Sequence, residues 1–267
     1  MALSLMALVL TTTAFAQDAK LKRLETSEQG RGWDAVGRLD IGGEGFCTGS
    51  LIAPDLVLTA AHCLYDKQTG QRINHENIEF LAGWRNGRAS AYRNVRRAVV
   101  HPDYVFGKDL SSGRVRNDVA LLEIRRPIRD TVIMPFGTGT RPRKGDLVGV
   151  VSYAKDRSEA PSLQEVCEVL AQQDGVLVTT CTVDFGSSGA PIFIFNDGQA
   201  HVVSVISAKA ESDGQNVALG TALSAPLEVL KAQLIAGEGF LTSSDGAVRR
   251  IAVGGQRTNT GAKFVKP

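Results

Sequence analysis

Apolar residues along this chain come in short runs, several of them alternating with polar ones, and Gly, Pro, Asn and Asp separate the runs. Alternation is the period of a strand with one buried face, and the turn-forming residues mark where the chain reverses. From Trp33 onward this predicts strands over residues 36–40, 46–52, 56–60, 78–84, 95–101 and 119–124. A connection containing Pro and Gly, 137–145, separates them from a second set over 147–153, 163–170, 176–181, 191–195, 201–208 and 217–223. Two groups of six short strands predict an all-β protein made of two six-stranded antiparallel β-barrels, because closure disposes of exposed sheet edges. No close internal repeat relates the halves. One segment near the end, 226–235, has helical spacing, with apolar residues at 227, 230, 234 and 235 and Pro226 at its start, and is expected to cover the second barrel.

The two ends differ from this body. Ala2 to Leu10 is apolar apart from Ser4 and is followed by Ala14-Phe15-Ala16, the pattern of a signal peptide cleaved after Ala16. The usual positive start is missing, since no Lys or Arg precedes Lys20. A run this short does not reach the ~20 apolar residues that a membrane-spanning helix needs. The expected organisation is therefore a signal peptide (1–16), an N-terminal extension (17–32), a first barrel (33–136), a second barrel with the helix (145–236), and a Gly-, Ser- and Arg-rich flexible tail (237–267). The expected location is secreted or periplasmic.

Composition, 43% hydrophobic and 22% charged, is that of an ordinary globular protein. A formal charge of +2 is too small to point to nucleic acid as a partner. The tail carries +3 of it, leaving about −1 for the rest. Four cysteines in an exported chain imply two disulfides, and three pairings are possible. Cys47–Cys63 and Cys167–Cys181 are favoured because each joins near neighbours within one half of the chain. A zinc site at Cys47, His62 and Cys63 is the competing reading, but it lacks any paired C-x-x-C or H-x-x-x-H spacing.

Three segments carry chemistry. They are Leu58-Thr59-Ala60-Ala61-His62-Cys63, preceded by Gly45-Phe46-Cys47-Thr48-Gly49-Ser50; Asn117-Asp118-Val119-Ala120-Leu121-Leu122; and Asp184-Phe185-Gly186-Ser187-Ser188-Gly189-Ala190-Pro191. A serine hydroxyl becomes a useful nucleophile only when a base takes its proton and donors hold the oxyanion that forms. Histidine is the usual base, and a carboxylate fixes its tautomer. These segments resemble the three signature blocks of the trypsin/chymotrypsin family in that family's chain order, His then Asp then Ser. The resemblance runs from about Trp33 to Ala236 and points to a secreted bacterial-type member with a chymotrypsin-like double barrel. It implies a serine endopeptidase acting on protein or peptide substrates, with His62 as base, Asp118 as its orienter and Ser188 as nucleophile. The backbone N–H groups of Gly186 and Ser188 would form the oxyanion hole, and Cys47 and Cys63 match the family's histidine-loop disulfide. No cofactor or metal is implied, and a monomer is expected. His75, His101 and His201 are expected to be structural or exposed.

The chain departs from the family pattern in two ways. Ser187 stands where zymogen-activated members carry the Asp that pairs with a newly cut N-terminal amine, and the matching I-V-G-G start is absent from residues 17–35. The oxyanion loop must then be held by other hydrogen bonds, the Ser187 hydroxyl among them. In the substrate pocket, Thr182 takes the basal position that trypsin-like members with Arg or Lys preference fill with Asp. A neutral Thr does not offset the desolvation of a substrate cation. Ser204 is aligned with the family serine beside the triad carboxylate, Val203 with a His of glutamyl endopeptidases, Ile206 with a pocket wall and Gly220 with the opposite wall. Small or medium apolar side chains are the expected preference. The 56 residues between His62 and Asp118 imply enlarged loops at 66–76 and 103–116. The rival from another class is a catalytically inactive protease-fold binding protein.

Overall fold

The computed structural model describes residues 20–107, 109–139, 141–212 and 214–240. The signal peptide predicted over 1–16 and most of the tail lie outside them. After a two-residue strand β1 (Lys22–Arg23), the first barrel is built from β2 (Val36–Ile41), β3 (Gly45–Ala53), β4 (Leu56–Thr59), β5 (Ile78–Ala82), β6 (Ala91–Val100) and β7 (Ala120–Ile124). These strands pair in the order β2-β3-β4-β7-β6-β5, and β5 returns to β2. Strand β6 shows why the sheet curls. Ala91 and Val95 are buried while Tyr92, Asn94 and Arg96 are exposed, so one face must close over a core with Leu39, Leu51, Phe80 and Leu121.

A short strand β8 (Gly137–Thr138) leads to the second barrel, β9 (Leu147–Ser152), β10 (Ser162–Gln173), β11 (Val176–Thr179), β12 (Pro191–Asn196), β13 (Gln199–Ser212) and β14 (Gln215–Ala222). Its strands pair as β9-β10-β11-β14-β13-β12, and β12 closes the ring on β9. All twelve predicted strands are present. Alternation on β12 serves two cores. Ile192 and Ile194 belong to the interior of the second barrel, while Phe193 turns outward to meet Trp33 at 5.2 Å and Phe136 at 4.7 Å between ring centroids. That aromatic cluster joins the barrels.

Both favoured disulfides are formed, Cys47–Cys63 across the first barrel and Cys167–Cys181 within the core of the second. Closing loops of 16 and 14 residues is worth about 3 kcal/mol each on a chain-entropy account. Among the described residues two α-helices complete the fold, the single turn α1 (Ser112–Arg116) and α2 (Ser224–Ile235). The expectation that α2 covers the second barrel is corrected. Its apolar face, Leu227, Leu230 and Leu234, packs back on β6 and β7 of the first, and Arg97 donates to the carbonyl of Leu234 near the helix end. The first residues of the predicted tail are engaged as well, for Ala98 N–H donates to the carbonyl of Gly239. Among the described residues no helix is long and apolar enough to cross a membrane.

The N-terminal segment is bound to both barrels. β1 lies antiparallel to β10, and Leu24 is buried. Arg85 donates to the carbonyls of Leu24 and Gly30 and, at 2.8 Å, to the carboxylate of Asp34. This ion pair is buried, unlike Arg125–Glu76, whose side chains are more than half exposed. Removing one partner of a buried pair strands the other charge, whereas an exposed pair is replaced by water. Asp34→Ala should therefore cost about 3–5 kcal/mol in urea denaturation, and Glu76→Ala under about 1 kcal/mol. Equal losses would show that the Arg85 anchor is not buried in solution.

Candidate active site

Where β4 ends, the chain makes one 3-10 turn, Ala61–Leu64, and all four of its residues are buried. Cys63 in that turn is bonded to Cys47 on β3, and Thr59 Oγ1 donates to the carbonyl of Thr48, so the turn is fastened to the sheet on both sides of His62. Asp118 lies just before β7 and is fully buried. One carboxylate oxygen accepts the backbone N–H of His62 at 2.8 Å. The other receives His62 Nδ1 at 2.7 Å and the hydroxyl of Ser207. A carboxylate at Nδ1 holds the proton there and leaves Nε2 as the free base. Tyr104 lies buried nearby, and burial, reinforced by the charge of Asp118, pushes its hydroxyl above the ordinary range, so it stays neutral.

Ser188 sits on the loop that enters β12. Gly186 and Gly189 flank it with φ of +98° and +76°, a region costly for any residue with a Cβ. Space also demands glycine, since a Cβ would strike the ring of Phe46 at position 186 and Thr59 Oγ1 at position 189. The loop is held between the barrels. Thr48 N–H donates to the carbonyl of Ser188 at 2.9 Å, and Gly189 N–H donates to that of Ile206 at 2.7 Å. His62 and Ser188 both line one cleft of about 480 Å³. A second hollow of about 300 Å³ is lined by His62 together with Phe46, Cys47, Cys63 and Tyr65.

Three carbonyls of this loop fix its peptide planes. That of Phe185 accepts from Lys155 N–H at 2.7 Å, that of Gly186 from Thr48 Oγ1 at 2.9 Å, and that of Ser187 from Ala190 N–H at 2.9 Å. In a trans peptide the N–H points opposite the carbonyl before it. The N–H groups of Gly186 and Ser188 are thereby turned away from Lys155 and Ala190. Ser187 is fully buried. Its hydroxyl accepts from Asp184 N–H at 3.3 Å and lies 3.2 Å from the carbonyl of Tyr153 and 3.3 Å from Ser152 Oγ.

The predicted pocket residues are distributed differently from the alignment. Ile206 lines the cleft, and Thr182 lines an adjoining hollow of about 140 Å³ with Val183, Asn216 and Val217. Ser204 does not reach Asp118. It is fully buried, its Oγ has no hydrogen-bond partner among the described residues, and it faces Gly220 across the β13–β14 ladder inside the barrel. Gly220 accordingly forms no cleft wall. Ser207, three residues on, fills the place assigned to Ser204. The β13–β14 register shifts between Ile206 and Ala208, and such a bulge changes which way the side chains around it face. The alternation pattern carries no sign of that bulge. Three cations missed in the sequence, Lys67, Arg114 and Lys209, also line the cleft, and Lys209 borders both it and the Thr182 hollow.

The predicted long loops meet each other beside the site. Tyr65 stacks on Phe106 with centroids 5.1 Å apart and packs against Tyr104 at 5.8 Å. Cys47, His62 and Cys63 do lie together, but both sulfurs are committed to the disulfide and offer a metal no thiolate.

The chain is 27% identical over 150 residues to a glutamyl endopeptidase of Bacillus licheniformis, which covers 56% of this chain and 45% of that protein. It is 29% identical over 133 residues to cathepsin G of Mus musculus, covering 48% and 46%. It thus spans under half the length of these relatives. A solved Glu endopeptidase in complex with MPD superposes with a TM-score of 0.65 at 19% identity, over 82% of this chain and 98% of that one, a likeness of fold. The family profile described as Trypsin matches residues 25–225. A match that runs through both barrels, and not through one motif alone, makes this chain a member of the trypsin family.

Proposed function

We propose that this protein is a serine endopeptidase that hydrolyses peptide bonds through an acyl-enzyme on Ser188. The observation that carries the reading is the fully buried Asp118 carboxylate receiving His62 Nδ1 at 2.7 Å, an arrangement that fixes the imidazole as a base facing the cleft shared with Ser188. In the reaction His62 Nε2 takes the proton of Ser188 Oγ as it attacks the substrate carbonyl, and the imidazolium is stabilised by Asp118. The N–H groups of Gly186 and Ser188 receive the oxyanion, and His62 returns its proton to the departing amine. The hollow at His62, against the Cys47–Cys63 disulfide, would take the leaving-group side of the substrate. An inactive binding protein would need none of these costs, least of all a desolvated carboxylate under a histidine.

The primary pocket of this proposal runs from Ser188 past Val183 to Thr182, with Lys209 at the border of both hollows. Moving the alignment three residues, as Ser207 requires, puts Ile206 at the place earlier given to Val203, still an apolar residue. Asp184 lines the cleft near Ser188, but with no carboxylate at Thr182 and an ammonium at the rim the base of the pocket disfavours substrate Arg and Lys. Neutral side chains fit the walls, and an acidic one has Lys209 to meet. Two disulfides suit an extracellular or periplasmic protein, and export by a leader ending near Ala16 belongs to the same proposal.

A fluorophosphonate probe should label the purified protein, and Ser188→Ala should abolish labelling; a folded native protein that resists the probe would favour the binding-protein reading. Asp118→Asn should lower kcat by about 10⁴ with peptide substrates, because the imidazole then adopts the wrong tautomer. In a digest of a peptide library, cleavage after Arg or Lys should run at least about tenfold below that after the best residue. A preference for Arg would refute the assignment of Thr182 and Lys209 to this pocket.

A further inference from the structure

The proposed reaction needs the N–H groups of Gly186 and Ser188 kept on one side of their loop, yet Ser187 between them carries no charge for a cut N-terminus to bind. Directly behind it lies a buried cation. Arg157 belongs to a single turn, Lys155–Arg157, in the connection from β9 to β10, and is 7% exposed. Its Nη2 approaches Ser187 Oγ at 3.4 Å and Ser152 Oγ at 3.2 Å, and both serines are fully buried. Its Nε has no partner among the described residues. Asp156 comes within 3.8 Å of Nη1 from the solvent side, and Asp184 is the other acid whose charge it feels. A guanidinium does not shed its proton in proteins, so the turn holds a permanent positive charge in low dielectric.

A charge buried at such cost with its donors aimed at two hydroxyls needs a reason beyond packing. The connection that carries it is fastened from outside as well. Leu24 N–H donates to the carbonyl of Pro161, Asn86 N–H to that of Glu159, and Asn86 Nδ2 to that of Glu25. The N-terminal segment, which zymogen-activated members of the family tuck in behind this loop, here clasps the outside of the same connection.

We propose that Arg157 is a positioning residue for the oxyanion loop: held by the connection from β9 to β10, its guanidinium takes the role behind Ser187 that a newly cut N-terminal amine plays in zymogen-activated relatives. The inference rests on the serine-peptidase reading. The hydroxyl of Ser187 accepts from the guanidinium where a carboxylate would accept from an amine, and so transmits the position of Arg157 to the peptides on either side of it. No proteolytic step is then needed to order the hole.

The test uses the full chain with kcat and KM measured separately. Arg157→Gln should lower kcat by about 10- to 100-fold, the scale of a misplaced oxyanion donor, and leave KM within about threefold. Millimolar guanidinium ion should restore part of the loss in Arg157→Ala, and Ser187→Ala should reproduce the loss from the other side of the contact. Ser187→Asp supplies a crossed control: with Arg157 present it forms an internal ion pair and stays active, and combined with Arg157→Gln it collapses. Hydrogen exchange at residues 184–190 reads the same contact without turnover and should quicken in Arg157→Gln. If the native protein resists the fluorophosphonate probe, the peptidase reading falls, and exchange still decides whether Arg157 orders the loop. A folded Arg157→Gln protein with native kcat and native exchange overturns the proposal, as does equal activity of Ser187→Asp with and without Arg157.

Discussion

A carboxylate removed entirely from water is the fixed point of this molecule. Bringing Asp118 to zero exposure costs several kcal/mol unless donors replace its hydration, and the three that do come from both halves of the chain. The backbone N–H and imidazole of His62 belong to the first barrel, whereas the hydroxyl of Ser207 belongs to β13 of the second. The same demand therefore sets the tautomer of the histidine and the distance between the barrels. Thr48 acts in the opposite direction, its backbone N–H holding Ser188 and its hydroxyl holding Gly186. The cleft is the seam along which two cores exchange hydrogen bonds.

Much of this architecture was legible because strands with one buried face carry their period in the sequence, and because turn residues interrupt them. The twelve barrel strands follow from that alone. β1 and β8 are two residues each and have no period to read; they form only because β10 and β13 offer an edge. The one-turn helix α1 depends on a cap from Ser111 to Arg114 N–H in a stretch otherwise rich in charge. Helix α2 was visible, but an apolar face does not say which barrel it will meet. His62, Asp118 and Ser188 stood out because their neighbours are as distinctive as they are. Ser207 and Ser204 are equally plausible partners for a carboxylate until a bulge turns one of them inward. Arg157 looks like any other arginine in a charged loop, since its burial is a property of what folds over it.

The residues around the cleft divide into those fixed by the barrels and those brought by loops. Phe46, Val183 and Ile206 come from or adjoin strands that also build cores, so their positions are as firm as the barrels. Lys67 and Arg114 arrive on connections whose own order depends on Tyr65, Tyr104 and Phe106 packing together. Chemistry is thus assigned to the rigid part of the site and much of its charge to the adaptable part, the common division of labour between scaffold and loop.

The pairing of β1 with β10 has a kinetic side. Lys22 and Arg23 meet Leu163 and Ser162, so they wait for partners roughly 140 positions later in the chain. Contacts of such sequence separation are formed slowly, because a long loop must close before they contribute. Asp118 and Ser207 meet across a similar wait of 89 residues. A chain with this wiring stays open and incomplete until most of it has been made, so the seam between its barrels is among the last parts to close.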